Sequence, residues 1–264
     1  MKSDYEVIKC KLSREHDHIN LYGLADWHVG SKECNMDLIE KQIKTILKDK
    51  DGYCVICGDL MNNGLKQSKT NTYEETMMPW EQKEVVYGLL KPLAEAGKIL
   101  AITDGNHEYR SVREVGVSPL YDIACRLRIE DVFRPYQCLM MIQFGRCSFG
   151  REGSYNTYFG LAIHGAGRNK HRRYEMTIEP LDFCISGHTH QPEMASRGKI
   201  RIDSRGVAKQ VNFKSLVVCP ALEHGGYGIQ KEYEPTGTGE VQYLTLRRIE
   251  RDRVKRMEYH TKQV

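Results

Sequence analysis

The chain has no apolar run long enough to cross a membrane, because none of its hydrophobic stretches approaches about 18 residues. The N-terminal sequence, MKSDYEVIKCKLSREHDH, is polar and lacks the apolar core of a secretory signal peptide. We therefore expect neither a membrane protein nor a protein exported by the general pathway. A cytoplasmic location is the corresponding prediction.

A disulfide framework is also missing. The nine cysteines are an odd number and lack the regular spacing of a disulfide-rich domain, so we expect free thiols in a reducing compartment. Cys54 and Cys57 form a C-x-x-C, but they lie in an apolar, strand-like run. Positions i and i+3 of a strand face opposite sides, so packing in the core is favoured over binding of one ion by this pair.

Internal repeats, low-complexity segments and a strong excess of one charge are absent as well. The net charge of +4 is compatible with a phosphate-bearing substrate but does not by itself indicate nucleic-acid binding. The composition, 40% hydrophobic and 28% charged, is typical of a globular protein. At this length we expect residues 1–264 to form a single domain.

The apolar patterns change character about half-way along the chain. In the first half, strand-like runs at 19–25, 53–57 and 98–103 alternate with helical patterns at 36–47, 79–96 and 119–127. The second half contains mostly strand-like runs, at 136–144, 155–164, 181–186, 199–202, 207–218 and 241–246. This order predicts an α/β protein with two stacked sheets and helices outside them.

Five short polar elements each follow an apolar run, and five of the ten histidines lie in them. The elements are Asp26-Trp27-His28, Gly58-Asp59, Gly105-Asn106-His107-Glu108, His164-Gly165 and Gly187-His188-Thr189-His190. Taken singly, each could be an ordinary turn or a solvated loop. Together they indicate one site, because loops at the carboxyl ends of strands converge on one crevice.

The side chains in these elements are carboxylates, imidazoles and one amide. Such donors suit Mn, Fe or Zn, and the absence of a thiolate argues against a structural zinc site. Seven candidate ligands are more than one four-coordinate ion takes, whereas two ions sharing one carboxylate would use them all. The candidate ligands are Asp26, His28, Asp59, Asn106, His164, His188 and His190.

This ordered set of motifs, from about residue 20 to about 192, resembles the calcineurin-like metallophosphoesterase superfamily. The resemblance implies a four-layer αββα sandwich, with two stacked mixed β-sheets flanked by helices, and two divalent ions, with Mn favoured and Fe, Zn or Ni as alternatives. It implies that Asp59 bridges the two ions, with Asp26, His28 and His190 on the first and Asn106, His164 and His188 on the second. His107 matches the family position that assists leaving-group departure or stabilises the transition state.

The implied activity is hydrolysis of a phosphate ester by a metal-bound hydroxide, and no nucleophilic Ser or Cys motif is present. Asn62-Asn63 stand where the Ser/Thr protein phosphatases have Asp-Arg, and Asp104 stands where they have Arg, which favours a phosphodiesterase. Arg110 resembles the protein-phosphatase pattern instead. A phosphomonoesterase or protein phosphatase is therefore the alternative, and a non-catalytic, protein-binding scaffold with this fold is a third hypothesis.

Two further positions are candidates for binding the phosphate-ester substrate, for which nucleic acid or a nucleotide is one possibility. Arg168 opens a basic cluster that continues from Lys170 to Arg173, just after His164. His224 lies in a glycine-rich loop after a predicted strand. Solvated loops without a special role are the alternative for both, and Asn106 is counted as a substrate contact as well as a ligand.

Overall fold

The computed structural model describes residues 5–66, 68, 75–147, 153–165, 177–202, 206–223 and 239–264. The helices in these ranges are α1 (Met36–Lys48), α2 (Pro79–Glu95), α3 (Glu108–Val115) and α4 (Pro119–Arg126), and a short 3-10 helix spans Glu130–Val132. The strands are β1 (Ile8–Lys11), β2 (His18–Leu24), β3 (Gly52–Ile56), β4 (Ile99–Thr103), β5 (Phe133–Arg134), β6 (Gln137–Arg146), β7 (Tyr155–Ile163), β8 (Phe183–Ser186), β9 (Glu193–Ile202), β10 (Ala208–Val217), β11 (Glu240–Arg247) and β12 (Met257–Gln263).

Local sequence explains how the helices begin and end. Asn35 accepts a hydrogen bond from the Leu38 amide at the start of α1, and Ser118 caps α4 in the same way. Pro79 occupies the first turn of α2, where its missing amide hydrogen has no cost. Gly116 ends α3 in the left-handed conformation that glycine adopts readily.

The strands form two six-stranded mixed sheets. Sheet I has the order β12-β11-β2-β3-β4-β5, and its strands from β2 to β5 run parallel. Sheet II has the order β1-β6-β7-β8-β10-β9, in which β7, β8 and β10 run parallel. The two sheets face each other across a shared apolar core that includes Leu21, Val55, Met140, Phe183 and Ile185.

A second core lies on the other face of sheet I, where α1, α2 and α4 contribute Ile43, Leu90 and Ile123. A smaller cluster on the outer face of sheet II contains Leu161, Cys184 and Phe213. The predicted sandwich of two mixed sheets flanked by helices is confirmed. No described helix is long and apolar enough to span a bilayer.

Cys54 and Cys57 lie in the core, and one predicted strand is longer than its apolar run. Cys54 packs in the helix-side core and Cys57 in the core between the sheets, as expected for residues on opposite faces of a strand, and all nine cysteines are free. The strand predicted at 199–202 is longer in the structure, because all ten residues of β9 pair with β10. This strand is defined by its hydrogen-bonded partner and not by burial.

Tyr158 links the two sheets through one buried hydroxyl. This fully buried residue of β7 donates to the Arg247 carbonyl at 2.6 Å, and its hydroxyl lies 3.2 Å from the Arg256 carbonyl. We expect Tyr158→Phe to lower the free energy of unfolding by about 1–2 kcal/mol, because the variant loses the hydrogen bond of a buried hydroxyl. Urea denaturation with an unchanged m-value measures this loss.

Tyr155→Phe is the matched control for this measurement, since the Tyr155 hydroxyl accepts only a surface hydrogen bond from Arg14. We expect it to change stability by less than about 0.5 kcal/mol. Equal losses in the two variants would contradict a special role for the buried hydroxyl.

Candidate metal centre

The candidate ligands lie at one edge of the molecule, where parallel strands of both sheets end. Asp26 follows β2, Asp59 follows β3 and Asn106 follows β4 in sheet I. His164 directly follows β7, and His188 follows β8 in sheet II. The predicted convergence of these loops is what the structure shows, because all seven candidate ligands lie in one cluster.

The backbone of these loops is held in an unusual conformation. Five of the candidate ligands have positive φ values, namely Asp26 (53°), His28 (47°), Asp59 (52°), His188 (75°) and His190 (54°). Non-glycine residues rarely adopt this left-handed region, and such strain concentrates at functional sites. Neighbouring loops hold the conformation by hydrogen bonds from the amides of Asp26 and His28 to the carbonyls of Gly58 and Asp59, each 3.1 Å long.

One half of the cluster consists of Asp26, His28 and His190. The two imidazoles meet with their Nε2 atoms 3.1 Å apart, and Asp26 Oδ1 lies 4.0 Å from His28 Nε2 and 3.6 Å from His190 Nε2. Burial, followed by the charges of neighbouring histidines, lowers the pKa of His28 well below its ordinary value. Its imidazole is therefore neutral at pH 7, the form that binds a metal ion.

The other half contains Asp59, His164, His188 and Asn106. His164 Nε2 lies 3.2 Å from Asp59 Oδ2, 3.2 Å from His188 Nδ1 and 3.0 Å from Asn106 Oδ1. Its other nitrogen, Nδ1, lies 2.7 Å from the carbonyl of Cys57, which orients the ring. Asp59, His188 and Asn106 therefore each place a potential metal-ligating atom beside His164 Nε2.

Asp59 joins the two halves. Its Oδ1 accepts a hydrogen bond from the His107 amide, and its Oδ2 faces His28 at 4.0 Å as well as His164. Burial alone would raise the pKa of Asp59, but the adjacent His164 and His107 hold it well below the usual carboxyl value. In turn, although burial opposes protonation of His164, Asp59 raises the pKa of that imidazole to about 10.

His107 lies beside the ligands and is held at both ring nitrogens. Nδ1 lies 2.6 Å from the Asn62 carbonyl, and Nε2 lies 2.9 Å from the guanidinium of Arg110. An arginine can only donate, so Nε2 accepts and the proton of the neutral ring is on Nδ1. Burial lowers the pKa of His107 to about 4, and Arg110 adds to this effect against the opposing charge of Asp59. The catalytic role of His107 stays a prediction. The structure shows in addition that Arg110 contacts its ring.

Glu108 links the loops that follow β3 and β4. This fully buried carboxylate accepts hydrogen bonds from the amides of Asp59, Met61 and Gly105, at 2.8, 3.1 and 2.9 Å. Burial, with the charge of Asp59, raises its pKa to about 7. The sequence motifs did not predict this role of Glu108. The available signal was its position directly after the candidate catalytic residue His107.

Glycine is required where two of these loops touch. Gly58 has a φ of 77°, and a Cβ atom placed on it would overlap the backbone of Gly105. A side chain at Gly105 would in turn overlap the Asp59 carboxylate. The Gly-Asp and Gly-Asn motifs therefore carry glycine because the loops after β3 and β4 pack backbone against backbone.

The donor set fits divalent metal ions. Asp26 Oδ1 is fully buried and accepts no hydrogen bond from the part of the chain that the structure describes, although its partner oxygen accepts from the His188 amide. A buried carboxylate oxygen without a donor is costly unless a cation compensates it. Three groups can each offer three ligand atoms within 4.8 Å of one another, namely Asp26-His28-His190, His28-Asp59-His107 and Asp59-His164-His188.

Two of the predicted substrate contacts cannot be placed. Arg168, with the basic cluster after it, and His224 lie outside the described residues. Asn106 is described and is exposed to solvent at the edge of the cluster, where its amide oxygen faces His164.

A family model described as calcineurin-like phosphoesterase matches residues 19–192, which is more than half of the chain. The chain belongs to this family. Members of the family typically bind two divalent metal ions, in agreement with the Asp and His groups of this site. Family membership supports a phosphoric ester hydrolase acting on a phosphate ester.

Several solved structures are similar to this chain at low identity. The NAD nucleotidase (NadN) of Haemophilus influenzae is 9% identical with a TM-score of 0.45, over 91% of this chain and 49% of NadN. This chain thus spans about half the length of NadN. Vps29 of Chaetomium thermophilum is 10% identical with a TM-score of 0.37, over 92% of this chain and 97% of that Vps29. Vps29 of Entamoeba histolytica, complexed with zinc, is 12% identical with a TM-score of 0.37, over 92% of this chain and 99% of that Vps29. These likenesses are too weak to support a statement about activity, and no curated protein matches the sequence.

We expect Mn²⁺ binding to release protons. Without metal, the raised pKa of His164 keeps its ring protonated at pH 7, whereas a metal ligand must be neutral. The apparent affinity should therefore rise with pH, by about tenfold per pH unit for each proton released. Titration calorimetry in two buffers of different ionisation enthalpy measures the number of protons. His260→Ala, which changes a half-exposed histidine in β12, should leave that number unchanged, and an affinity that falls with rising pH would refute the prediction.

Proposed function

We propose that the chain is a metal-dependent phosphodiesterase with two divalent ions at the edge where the two sheets meet. One ion would be held by Asp26, His28 and His190 and the other by Asn106, His164 and His188, with Asp59 shared. The observation that carries this proposal is the position of Asp59 Oδ2, which lies within 4.0 Å of ring nitrogens from both groups.

Two divalent ions bound there would supply Lewis-acid chemistry, lowering the pKa of water and neutralising charge on the phosphoryl oxygens. The oxygen and imidazole donors favour Mn²⁺, with Fe, Zn or Ni as alternatives. Asp26 and Asp59 supply the negative charge that balances the ions, and both are almost completely buried. Such burial excludes water and strengthens every electrostatic interaction within the site.

Arg110, held next to His107, adds a fixed positive charge to the site. The Asn62 carbonyl accepts from Arg110 at 2.9 Å and lies 2.6 Å from His107 Nδ1, so both side chains are held on one backbone group. A guanidinium stays protonated at all relevant pH values and can stabilise negative charge that develops on a phosphoryl group. We assign this stabilising role to Arg110 and propose that His107 assists it by holding the guanidinium in place.

Three positions near the site support a diester over a monoester. Asn63 donates from its side chain to the His107 carbonyl, Asn62 donates to Glu75, and Asp104 accepts from Ser118. These residues stand where the protein phosphatases have Asp-Arg and Arg, and here they serve the loop structure. They offer no cation for the second negative charge of a phosphate monoester.

A phosphomonoesterase is the second candidate function, and Arg110 is the observation that favours it. Its guanidinium lies next to His107, where it could bind the extra negative charge of a monoester. The two candidates therefore differ in how strongly activity depends on Arg110.

Residues 1–264 are proposed to act as a single unit. Both sheets draw strands from distant parts of the chain, since β11 and β12 join sheet I and β1 joins sheet II. The nine free cysteines support a reducing compartment such as the cytoplasm.

We expect Asp59→Asn to abolish Mn²⁺-stimulated hydrolysis of bis-(p-nitrophenyl) phosphate. The loss should exceed the roughly 10–100-fold that is typical for residues that only support metal ligands. Release of p-nitrophenol measures the rate, and Asp17→Asn, an exposed surface change, is the control that should keep it. Wild-type protein that binds two equivalents of metal but turns over no phosphodiester would overturn the proposal.

Arg110→Ala tests the role of the guanidinium, and the wild-type preference for monoester or diester separates the two candidate functions. We expect about a hundredfold loss of kcat on p-nitrophenyl phosphate and about a tenfold loss on bis-(p-nitrophenyl) phosphate, because the dianionic monoester depends more on the guanidinium. Arg251→Ala, at an exposed position, should change neither rate. A wild-type kcat/KM that is higher for the monoester than for the diester would favour the second candidate.

A further inference from the structure

Tyr136 follows a parallel strand of sheet I, as three of the proposed metal ligands do. The strands β2, β3, β4 and β5 run parallel, so their carboxyl ends lie at the same edge of sheet I. Asp26, Asp59 and Asn106 follow the first three of these strands. Tyr136 follows the fourth, two residues after Arg134 ends β5, and therefore lies at the outer end of the same row.

Tyr136 forms an aromatic pair with Tyr109 of α3. The ring centroids are 5.7 Å apart at an interplanar angle of 59°, and the Tyr136 hydroxyl donates to the Tyr109 hydroxyl at 3.3 Å. Tyr136 is nonetheless 54% exposed, whereas Tyr109 is half-buried. The exposed part of the Tyr136 ring is therefore a surface that a ligand can contact.

Tyr109 lies on the helix that directly follows the Asn106 loop, and positive charge lies beside its ring. Tyr109 lies in the first turn of α3, three residues after Asn106 and two after His107. The Arg113 guanidinium lies 5.1 Å from the Tyr109 ring centroid. Arg110, on the same turn, reaches His107. Tyr109 and Arg113 thus lie on the same helix as Arg110, which contacts His107 of the candidate metal centre.

We propose that Tyr136 and Tyr109 form a stacking platform for a nucleobase of the substrate, so that the scissile diester belongs to a nucleotide or a single-stranded nucleic acid. This inference rests on the proposed function. Every base has a π-face that stacks on a tyrosine ring, and neighbouring arginines neutralise the adjacent phosphates. A single-stranded substrate fits better than a duplex, because paired bases keep their faces within their own stack.

The preference for a base-bearing diester tests the platform. Thymidine 5′-(p-nitrophenyl phosphate) and methyl p-nitrophenyl phosphate share a leaving group, and only the first carries a base. We expect wild-type protein with Mn²⁺ to prefer the thymidine ester in kcat/KM, mainly through a lower KM. Tyr136→Ala should reduce this preference by about tenfold or more, since one base–aromatic stack contributes on that order. An unchanged preference in Tyr136→Ala would overturn the platform.

Two control variants locate the effect. Tyr136→Phe keeps the aromatic ring and should keep the preference for the thymidine ester. If the hydroxyl bond to Tyr109 were what mattered, this variant would lose the preference. Tyr5→Ala changes a tyrosine that is 82% exposed elsewhere on the surface and should behave as wild type. Loss of the preference in Tyr136→Phe would contradict stacking.

Binding of the products gives a readout that does not need turnover. With Mn²⁺ present, calorimetry should show thymidine 5′-monophosphate binding about tenfold more tightly than methyl phosphate, and Tyr136→Ala should remove the difference. Equal affinity of the wild type for the two ligands would overturn the platform even if both diesters are hydrolysed. Conversely, a base preference in binding without hydrolysis of any diester would support the platform and refute the proposed function.

Discussion

The carboxylate of Asp59 is buried against histidines from several other loops, and the charge balance of the site depends on it. One of its oxygens holds the His107 backbone, and the other faces His28 and His164. A buried charge of this kind is stable only when it is compensated. Without metal, protonated His164 provides the compensation; divalent ions would replace that proton and would also compensate Asp26, whose buried Oδ1 receives no hydrogen bond from the described residues.

The loops around this carboxylate are supported by the fold on both sides. Sheet I supplies Asp26, Asp59 and Asn106, and sheet II supplies His164 and His188, so the centre exists only where the sheets pack together. The left-handed backbone at five of the candidate ligands has a conformational cost that the surrounding structure must offset. Three backbone hydrogen bonds to the buried Glu108 and the contact between Gly58 and Gly105 provide that support.

The residues around the centre differ in charge and in the contacts that they make. Arg110, in contact with the neutral ring of His107, holds a permanent positive charge beside the candidate ligands, whereas Asn62, Asn63 and Asp104 form hydrogen bonds within the loops. The exposed ring of Tyr136 lies at the end of the same row of strands. Under the proposed function, this charge would bind the phosphodiester of the substrate and the aromatic surface would bind its flat ring.

The sequence by itself determined the sandwich, the three main helices of the first half and the identity of the loops, because long periodic apolar runs and polar motifs after them are local signals. It did not reveal β1 or β12, which are peripheral strands with few buried residues, nor the full length of β9, which depends on pairing with β10. Only the tertiary structure decided the contacts of Arg110 with His107 and Asn62, the brace formed by Glu108, and the pairing of Tyr109 with Tyr136. These contacts depend on how loops and strand ends meet in space, and no spacing along the chain encodes that geometry.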